Sequence, residues 1–206
     1  MNWKYNHPLL NFFTYATIVL LVAGCLALAY WSKEQVFLTL NNQHTDIGDV
    51  LLKYLTHVGD GLFMLTTGVI IFLTGKRKLG ILFVLSFLMS GLIVQIIKRV
   101  EAKPRPAMYF KKPQIIHKVD DNLLKGKNSF PSGHTTTAFA MFSLFAFATR
   151  NKGLQLLFFA AALVIGYSRI YLGQHFTEDV LAGALLGYLT SFFLTWLFRK
   201  KEWDSN

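Results

Sequence analysis

The chain has 206 residues, of which 53% are hydrophobic and only 16% are charged. Globular domains carry about 25% charged residues, so this composition, with a mean hydropathy of +0.39, indicates a membrane protein and argues against a soluble domain. The net charge of +10 does not indicate nucleic-acid binding, because the basic residues lie at the ends of apolar segments. Anionic lipid headgroups are the expected partner. The single cysteine, Cys25, excludes an intrachain disulfide.

Six apolar segments follow one another along the chain, and we interpret them as membrane-spanning helices of one all-α domain covering residues 1–206. The predicted spans are 12–31, 61–75, 79–97, 135–149, 153–168 and 180–198. A helix needs about 20 apolar residues to cross the hydrocarbon core. The fourth and fifth spans are shorter, so they can cross only if their helices continue into the neighbouring polar sequence. Close packing between helices is expected at Gly166, Gly173, Gly183 and Gly187.

The first apolar segment admits two other interpretations. The sequence Ala27-Leu28-Ala29 resembles a signal-peptidase site, and residues 22–25, which end in Cys25, resemble a lipoprotein cleavage site. Either kind of processing would remove or shorten the first span. The length of the apolar stretch and the number of spans after it favour a retained helix.

A mixed segment, 32–60, separates the first two spans. A short amphipathic helix at the membrane interface is predicted by the helical spacing of Val50, Leu51, Tyr54, Leu55 and Val58. Asp60 opens the second span, where it could either orient a basic residue or favour the helix N-terminus. The sequence predicts no partner for His57 or His117.

Three polar segments interrupt the apolar pattern, at 98–106, 130–134 and 167–179. In the third, His175 and Asp179 are one helical turn apart, so the carboxylate can hold one imidazole nitrogen and leave the other free to react. Histidines combined with guanidinium groups predict a site for phosphate chemistry. Two alternatives stay open for this pair, namely a structural hydrogen bond or two ligands of one metal ion.

Together these segments resemble the three-part signature of the type 2 phosphatidic acid phosphatase family. The matching residues are Lys98 with Arg105-Pro106, then Pro131-Ser132-Gly133-His134, then Ser168-Arg169 with His175 and Asp179. The three parts occur in the family's order, between Lys98 and Asp179, and no defining residue is substituted. Any one part alone would be a weak signal, whereas three parts in order are specific.

The resemblance implies a role for each of these residues. His175 would attack phosphorus and form a phosphohistidine, and Asp179 would hold the other ring nitrogen. His134 would protonate the leaving oxygen and later activate water. The residues expected to bind the substrate phosphate are Lys98, Arg105, Ser132, Gly133 and Arg169. The resembling family works without a metal, so no metal and no other cofactor is expected.

The function implied by the resemblance is hydrolysis of a lipid phosphate, with undecaprenyl diphosphate, phosphatidylglycerol phosphate or phosphatidic acid as substrate. A lipid phosphotransferase with the same intermediate is one alternative, and a non-catalytic lipid or anion transporter is another. The compact size and short loops indicate a bacterial cytoplasmic membrane protein. The basic turns at 76–78 and 150–152 predict their own side as cytoplasmic, which puts the three polar segments at the outer face. The oligomeric state is not predicted.

Overall fold

The computed structural model describes residues 11–110, 115–117, 119 and 126–199, and within these residues it contains helices and no strand. The helices are α1 Phe12–Tyr30, α2 Lys33–Asn41, α3 Asp46–Leu55, α4 Gly61–Leu73, α5 Arg77–Glu101, α6 Pro106–Tyr109, α7 Gly133–Phe147, α8 Lys152–Tyr171 and α9 Thr177–Leu197. A 3₁₀ turn, Thr56–Gly59, joins α3 to α4. The predicted all-α class is confirmed.

Each predicted span coincides with one helix, although the ends differ by a few residues. Four segments are long and apolar enough to cross a membrane, namely Phe12–Tyr30, Arg77–Tyr109, Lys152–Tyr171 and Thr177–Leu197. The segments Asp46–Gly59 and Gly61–Leu73 are long and apolar enough to cross a membrane only when they are taken together, and the chain bends by 57° between them. Helix α7 has 15 residues, fewer than a full crossing needs. The chain is therefore a multi-pass membrane protein, and the count of six spans stays a prediction.

The two short spans extend into the polar segments, as expected. Helix α7 begins at Gly133, directly after Ser132 as its N-cap. Helix α8 continues past Arg169 to Tyr171. The main-chain N–H of Ser132 donates to the carbonyl of Asp179 at 3.0 Å. This bond ties the start of α7 to the start of α9 and brings two of the polar segments together.

Helix α7 is the centre of the bundle and packs against α5, α8 and α9. A Cβ on Gly187 would lie 2.2 Å from the carbonyl oxygen of Thr136, and one on Gly183 would lie 2.7 Å from that of Ser132. The predicted close packing is therefore confirmed at both positions, since no side chain fits there. Gly173 serves a different purpose, because its φ of 66° forms the turn after α8 and is readily adopted by glycine.

Helix α1 packs into the bundle through its first turns. Phe13 is fully buried in a cluster with residues of α7, α8 and α9. The side-chain amide of Asn11 donates to the carbonyl of Ala146 at 2.8 Å, and the hydroxyl of Tyr188 donates to that of Thr14 at 3.1 Å. These contacts join the first helix to α7, α8 and α9.

The amphipathic helix predicted within 32–60 is present as α3, and it leaves Val50, Leu51 and Tyr54 exposed. His117, for which the sequence predicts no partner, lies against this region. Its Nε2 is 2.8 Å from Oδ1 of Asp49, and its main-chain N–H donates to the Asn41 side chain at 2.8 Å. A histidine in a loop can be paired only once the fold brings a distant carboxylate to it.

Candidate active site

His175 lies in the turn between α8 and α9 and is 2% exposed. Its Nδ1 is 3.3 Å from Oδ2 of Asp179. The same oxygen accepts a hydrogen bond from the main-chain N–H of Phe176 at 2.9 Å and one from the hydroxyl of Ser129 at 2.5 Å. These donors fix the carboxylate against Nδ1, so Nδ1 carries the proton and Nε2 keeps its lone pair.

The surroundings of His175 keep its imidazole neutral. Burial, together with the positive charges of Arg105, Arg169 and Lys98, holds the pKa of His175 well below its ordinary value. A protonated ring would lose its hydration and be repelled by these cations. The neutral form, which prevails at pH 7, is the form that can act as a nucleophile.

Three cationic side chains from different parts of the chain surround this histidine. Lys98 lies in the last turn of α5, Arg105 precedes α6, and Arg169 lies in the last turn of α8. Both arginines are buried. Within the described part of the chain, none of the three forms an ion pair with an acidic side chain. Buried positive charge is costly without compensation, and a phosphate group would supply it.

Neutral groups orient the two arginines. Arg105 Nε donates to Oδ1 of Asn128 at 3.0 Å, and its Nη1 donates to the carbonyl and side-chain oxygens of Gln174 at 3.3 Å. Arg169 Nη1 donates to the hydroxyl of Thr56 at 2.6 Å, whereas its Nε is buried with no hydrogen-bond partner among the described residues. Neutral partners fix the planar guanidinium groups and leave their charge for an anion.

The first turn of α7 presents main-chain donors near these cations. A Cβ on Gly133 would meet none of the described residues within 4 Å, so in this part of the chain the space in front of Gly133 is open. The first N–H groups of a helix have no partner within the helix, and such an end attracts anions. Ser132 acts differently from Gly133. Its main-chain N–H is bound to Asp179, and its buried hydroxyl accepts from Thr135 at 2.9 Å, so in this structure Ser132 serves as a helix cap.

The second histidine of the signature has a carboxylate of its own. His134 Nε2 lies 2.7 Å from Oδ1 of Asp60, and the other oxygen of Asp60 lies 3.0 Å from Nδ1 of His57. Asp60 makes no side-chain capping bond to α4. Of the two expectations for Asp60, orientation of a basic residue is therefore the one that the geometry favours, and His57 has a partner that the sequence did not predict.

The match to known proteins covers this whole site. Residues 79–203 match the PAP2 superfamily, a stretch that is more than half of the chain and contains all three polar segments. The chain belongs to the PAP2 superfamily. This finding confirms the resemblance drawn from the sequence.

Three curated relatives align over 66–77% of this chain. Phosphatidylglycerophosphatase B of Bacillus subtilis is 31% identical, over 71% of this chain and 73% of its own length. Undecaprenyl-diphosphatase of Sulfolobus acidocaldarius is 26% identical, over 77% of this chain and 74% of its own length. Bacitracin transport permease protein BcrC of Bacillus licheniformis is 30% identical, over 66% of this chain and 65% of its own length. The match to this last relative spans slightly less than two thirds of that protein.

The fold is shared with a solved PAP2 structure over nearly its entire length. The transmembrane PAP2 type phosphatidylglycerolphosphate phosphatase of Bacillus subtilis superposes with a TM-score of 0.68 and 22% identity, over 96% of this chain and 98% of that chain. At this identity the likeness concerns the fold alone.

Sequence reasoning missed four residues that position the PAP2 site. Ser129 supports Asp179, Thr56 supports Arg169, and Asn128 and Gln174 support Arg105. Ser129, Asn128 and Gln174 adjoin the signature residues, and that proximity was an available signal. Thr56 lies far from them in sequence, so only the fold reveals it.

The metal-ligand alternative for His175 and Asp179 lacks a third ligand. In the ranges that the structure describes, no group of three or more histidine, cysteine, aspartate or glutamate side chains is placed to hold a metal ion. The two side chains face each other, with Nδ1 and Oδ2 3.3 Å apart. The arrangement fits a nucleophile and the carboxylate that orients it.

Proposed function

We propose that this protein is a membrane lipid phosphatase that needs no metal ion and works through a phosphohistidine. The observation that carries the proposal is the arrangement around His175. This neutral, buried imidazole is held through Nδ1 by Asp179 and surrounded by Lys98, Arg105 and Arg169. A nucleophile, its orienting carboxylate and three cations that form no ion pair with an acidic side chain among the described residues are the parts that a phosphoryl transfer needs.

The proposed reaction has two steps. In the first, Nε2 of His175 attacks phosphorus, the bond to the lipid oxygen breaks, and the departing oxygen takes a proton from His134. In the second, water attacks the phosphohistidine, gives its proton to His134, and releases phosphate as the bond between phosphorus and nitrogen breaks. The three cations stabilise the phosphoryl oxygens in both steps.

The substrate that we propose is a lipid with a terminal phosphate or diphosphate. Two relatives carry the names phosphatidylglycerophosphatase B and undecaprenyl-diphosphatase, which makes phosphatidylglycerol phosphate and undecaprenyl diphosphate the first compounds to test, with phosphatidic acid as the third. The name of another relative refers to transport. Anion binding alone needs cations but does not need a histidine with an orienting carboxylate, so we favour catalysis.

We further propose one domain with six spans in the bacterial cytoplasmic membrane, and a site that faces outward. The turns at 74–76 and 148–151 lie at the opposite ends of their helices from the polar segments. These turns and their flanks carry Lys76, Arg77, Arg150 and Lys152. Basic residues in short loops favour the cytoplasmic side, which supports this orientation.

A cleft beside His134 offers a path for the lipid tail. It has a volume of about 220 Å³ and lies between α4, α5 and α7. Its wall on α5 includes Phe87, Gly91 and Val94, which share a helix face with Lys98. The larger cavity, about 460 Å³ between α1, α2, α8 and α9, is lined by none of the site residues. We therefore propose that the tail next to the headgroup lies in the smaller cleft.

Gly91 lines this cleft, and a Cβ there would meet none of the described residues within 4 Å. We expect Gly91→Phe to lower kcat/KM for dioctanoyl phosphatidic acid by about 10–100-fold, the size of effect that pocket contacts have on discrimination. Hydrolysis of p-nitrophenyl phosphate, which has no tail, should stay within about threefold. Leu92→Phe is the matched control, since Leu92 is 63% exposed on another face of α5. Equal losses for both substrates would contradict this path.

The proposed function is tested by phosphate release from the three lipids by purified protein in EDTA. We expect release that survives chelation, is inhibited by vanadate, and is fastest with one lipid class. Release that requires an added divalent metal would overturn the metal-free mechanism. If an acceptor is phosphorylated and little free phosphate appears, the protein is a phosphotransferase and not a hydrolase. If the lipid binds without turnover, the protein is a transporter.

A further inference from the structure

The turn that joins α3 and α4 contacts two groups of the site, although it lies outside the three polar segments. In this stretch, residues 56–60, Thr56 accepts from Arg169 at 2.6 Å, and Asp60 Oδ1 lies 2.7 Å from His134 Nε2. Gly59 permits this approach, because a Cβ there would lie 3.0 Å from the carbonyl oxygen of His134 and 2.7 Å from Cγ2 of Ile165. The backbone of the turn therefore packs directly against the start of α7.

Both oxygens of the Asp60 carboxylate are engaged. Oδ1 faces His134, and Oδ2 lies 3.0 Å from Nδ1 of His57. The side chain of Asp60 is 42% exposed and that of His134 is 31% exposed, so the pair lies at the rim of the site. His57 therefore contacts the oxygen of Asp60 that does not face His134.

The charges around His134 give this contact a chemical consequence. Burial is the largest influence against a proton on His134, and Arg169, His57 and Arg105 also oppose it, whereas Asp60 favours it. His175 also interacts electrostatically with His134. A histidine that must carry a proton in the first step needs a nearby negative charge, and Asp60 supplies one at hydrogen-bond distance.

We propose that Asp60 is the positioning residue of the general acid, holding His134 through Nε2 as Asp179 holds His175 through Nδ1. Nε2–H stays bonded to Asp60, and the proton on Nδ1 moves to the departing oxygen. In the second step Nδ1 takes a proton from the attacking water, so the ring returns to its starting state. This inference rests on the proposed function and assigns a role to a residue outside the signature.

A leaving-group comparison tests the role of Asp60. We expect Asp60→Asn to lower kcat/KM for dioctanoyl phosphatidic acid by about 10–100-fold, because its alkoxide must be protonated as it leaves. The value for p-nitrophenyl phosphate should change by less than about threefold, because p-nitrophenolate leaves without a proton. Retained activity on the second substrate also shows that the variant is folded. Asp46→Asn, at an exposed position in the first turn of α3, is the matched control and should leave both values unchanged.

Chemical rescue is the second measurement. Asp60→Ala should lose lipid hydrolysis as Asp60→Asn does and regain part of it in formate, since the site is open enough to admit a small carboxylate. Equal losses for both substrates, no loss at all, or no rescue by formate would each overturn the inference. If His175→Ala is inactive and Asp60→Asn changes kcat/KM equally for both substrates, the inference about Asp60 fails and the proposed function stands. If His175→Ala keeps its turnover, the proposed function fails first.

Discussion

Replacement of His175 by alanine is expected to lower kcat for lipid-phosphate hydrolysis by about 10⁴-fold or more, the scale on which loss of a nucleophile acts. Nε2 of His175 is the proposed attacking atom, and no second neutral imidazole is held by both a carboxylate and a hydroxyl in the described part of the chain. The measurement is phosphate release from dioctanoyl phosphatidic acid. After reaction with a ³²P-labelled lipid phosphate, the wild-type protein should carry an acid-labile ³²P label. The His175→Ala variant should carry none.

The matched control for this experiment is His44→Ala. His44 is exposed, and its ring stacks on His117 with centroids 3.9 Å apart, away from the proposed nucleophile. We expect this variant to stay within about twofold of wild type, as surface substitutions usually do. Turnover by His175→Ala above about 1% of wild type would exclude the phosphohistidine mechanism, because remaining groups retain far less when a nucleophile is lost.

Replacement of Asp179 by asparagine is the second large effect, and we expect a loss of about 10³-fold in kcat. Asp179 is 1% exposed, and its carboxylate holds Nδ1 of His175. Its Oδ2 also accepts hydrogen bonds from the Ser129 hydroxyl and the Phe176 main-chain N–H. The asparagine amide has only one oxygen. If its NH₂ group took the place of Oδ2, this group would face the hydrogen-bond donors that Oδ2 now accepts from. The imidazole would then lose both its fixed tautomer and the charge that stabilises it during attack.

The neighbouring carboxylate provides the control for Asp179. Glu178 lies next to it on α9 and pairs with Lys103 at 3.8 Å and with Lys33 at 4.0 Å. Glu178→Gln removes the same charge from a partly exposed position, so we expect a loss of less than about threefold. Similar losses of kcat in Asp179→Asn and Glu178→Gln would show that the loss comes from removal of a local negative charge and not from the orientation of His175. A loss below tenfold for Asp179→Asn would also contradict the assigned role.

Several features of the fold follow from the sequence alone. The apolar segments predict the six long helices, because a run without charges is stable only away from water. The predicted extension of the short spans is confirmed by α7, which starts at Gly133, and by α8, which ends at Tyr171. The spacing of Gly183 and Gly187 predicts the close contact with α7, because both lie on one helix face.

The support of the site was less predictable. The fold places the carboxylate of Glu178 within 4.0 Å of the side-chain amines of Lys33 and Lys103. In this structure the hydroxyl of Ser132 caps α7, and its expected contact with phosphate stays a prediction. For Glu178 only the approach of other chain segments selects the partners, whereas the hydroxyl of Ser132 contacts Thr135 of the helix that it caps.

The sequence by itself determined the family of this protein, because the types and spacing of Lys98, Arg105, His134, His175 and Asp179 match the PAP2 signature, and it predicts which groups react. Only the tertiary structure decided how those groups are held. Thr56 and Asp60 reach Arg169 and His134 because Gly59 lets their turn pack against α7. Contacts between residues more than 70 positions apart depend on the packing of whole helices, and no local pattern encodes them.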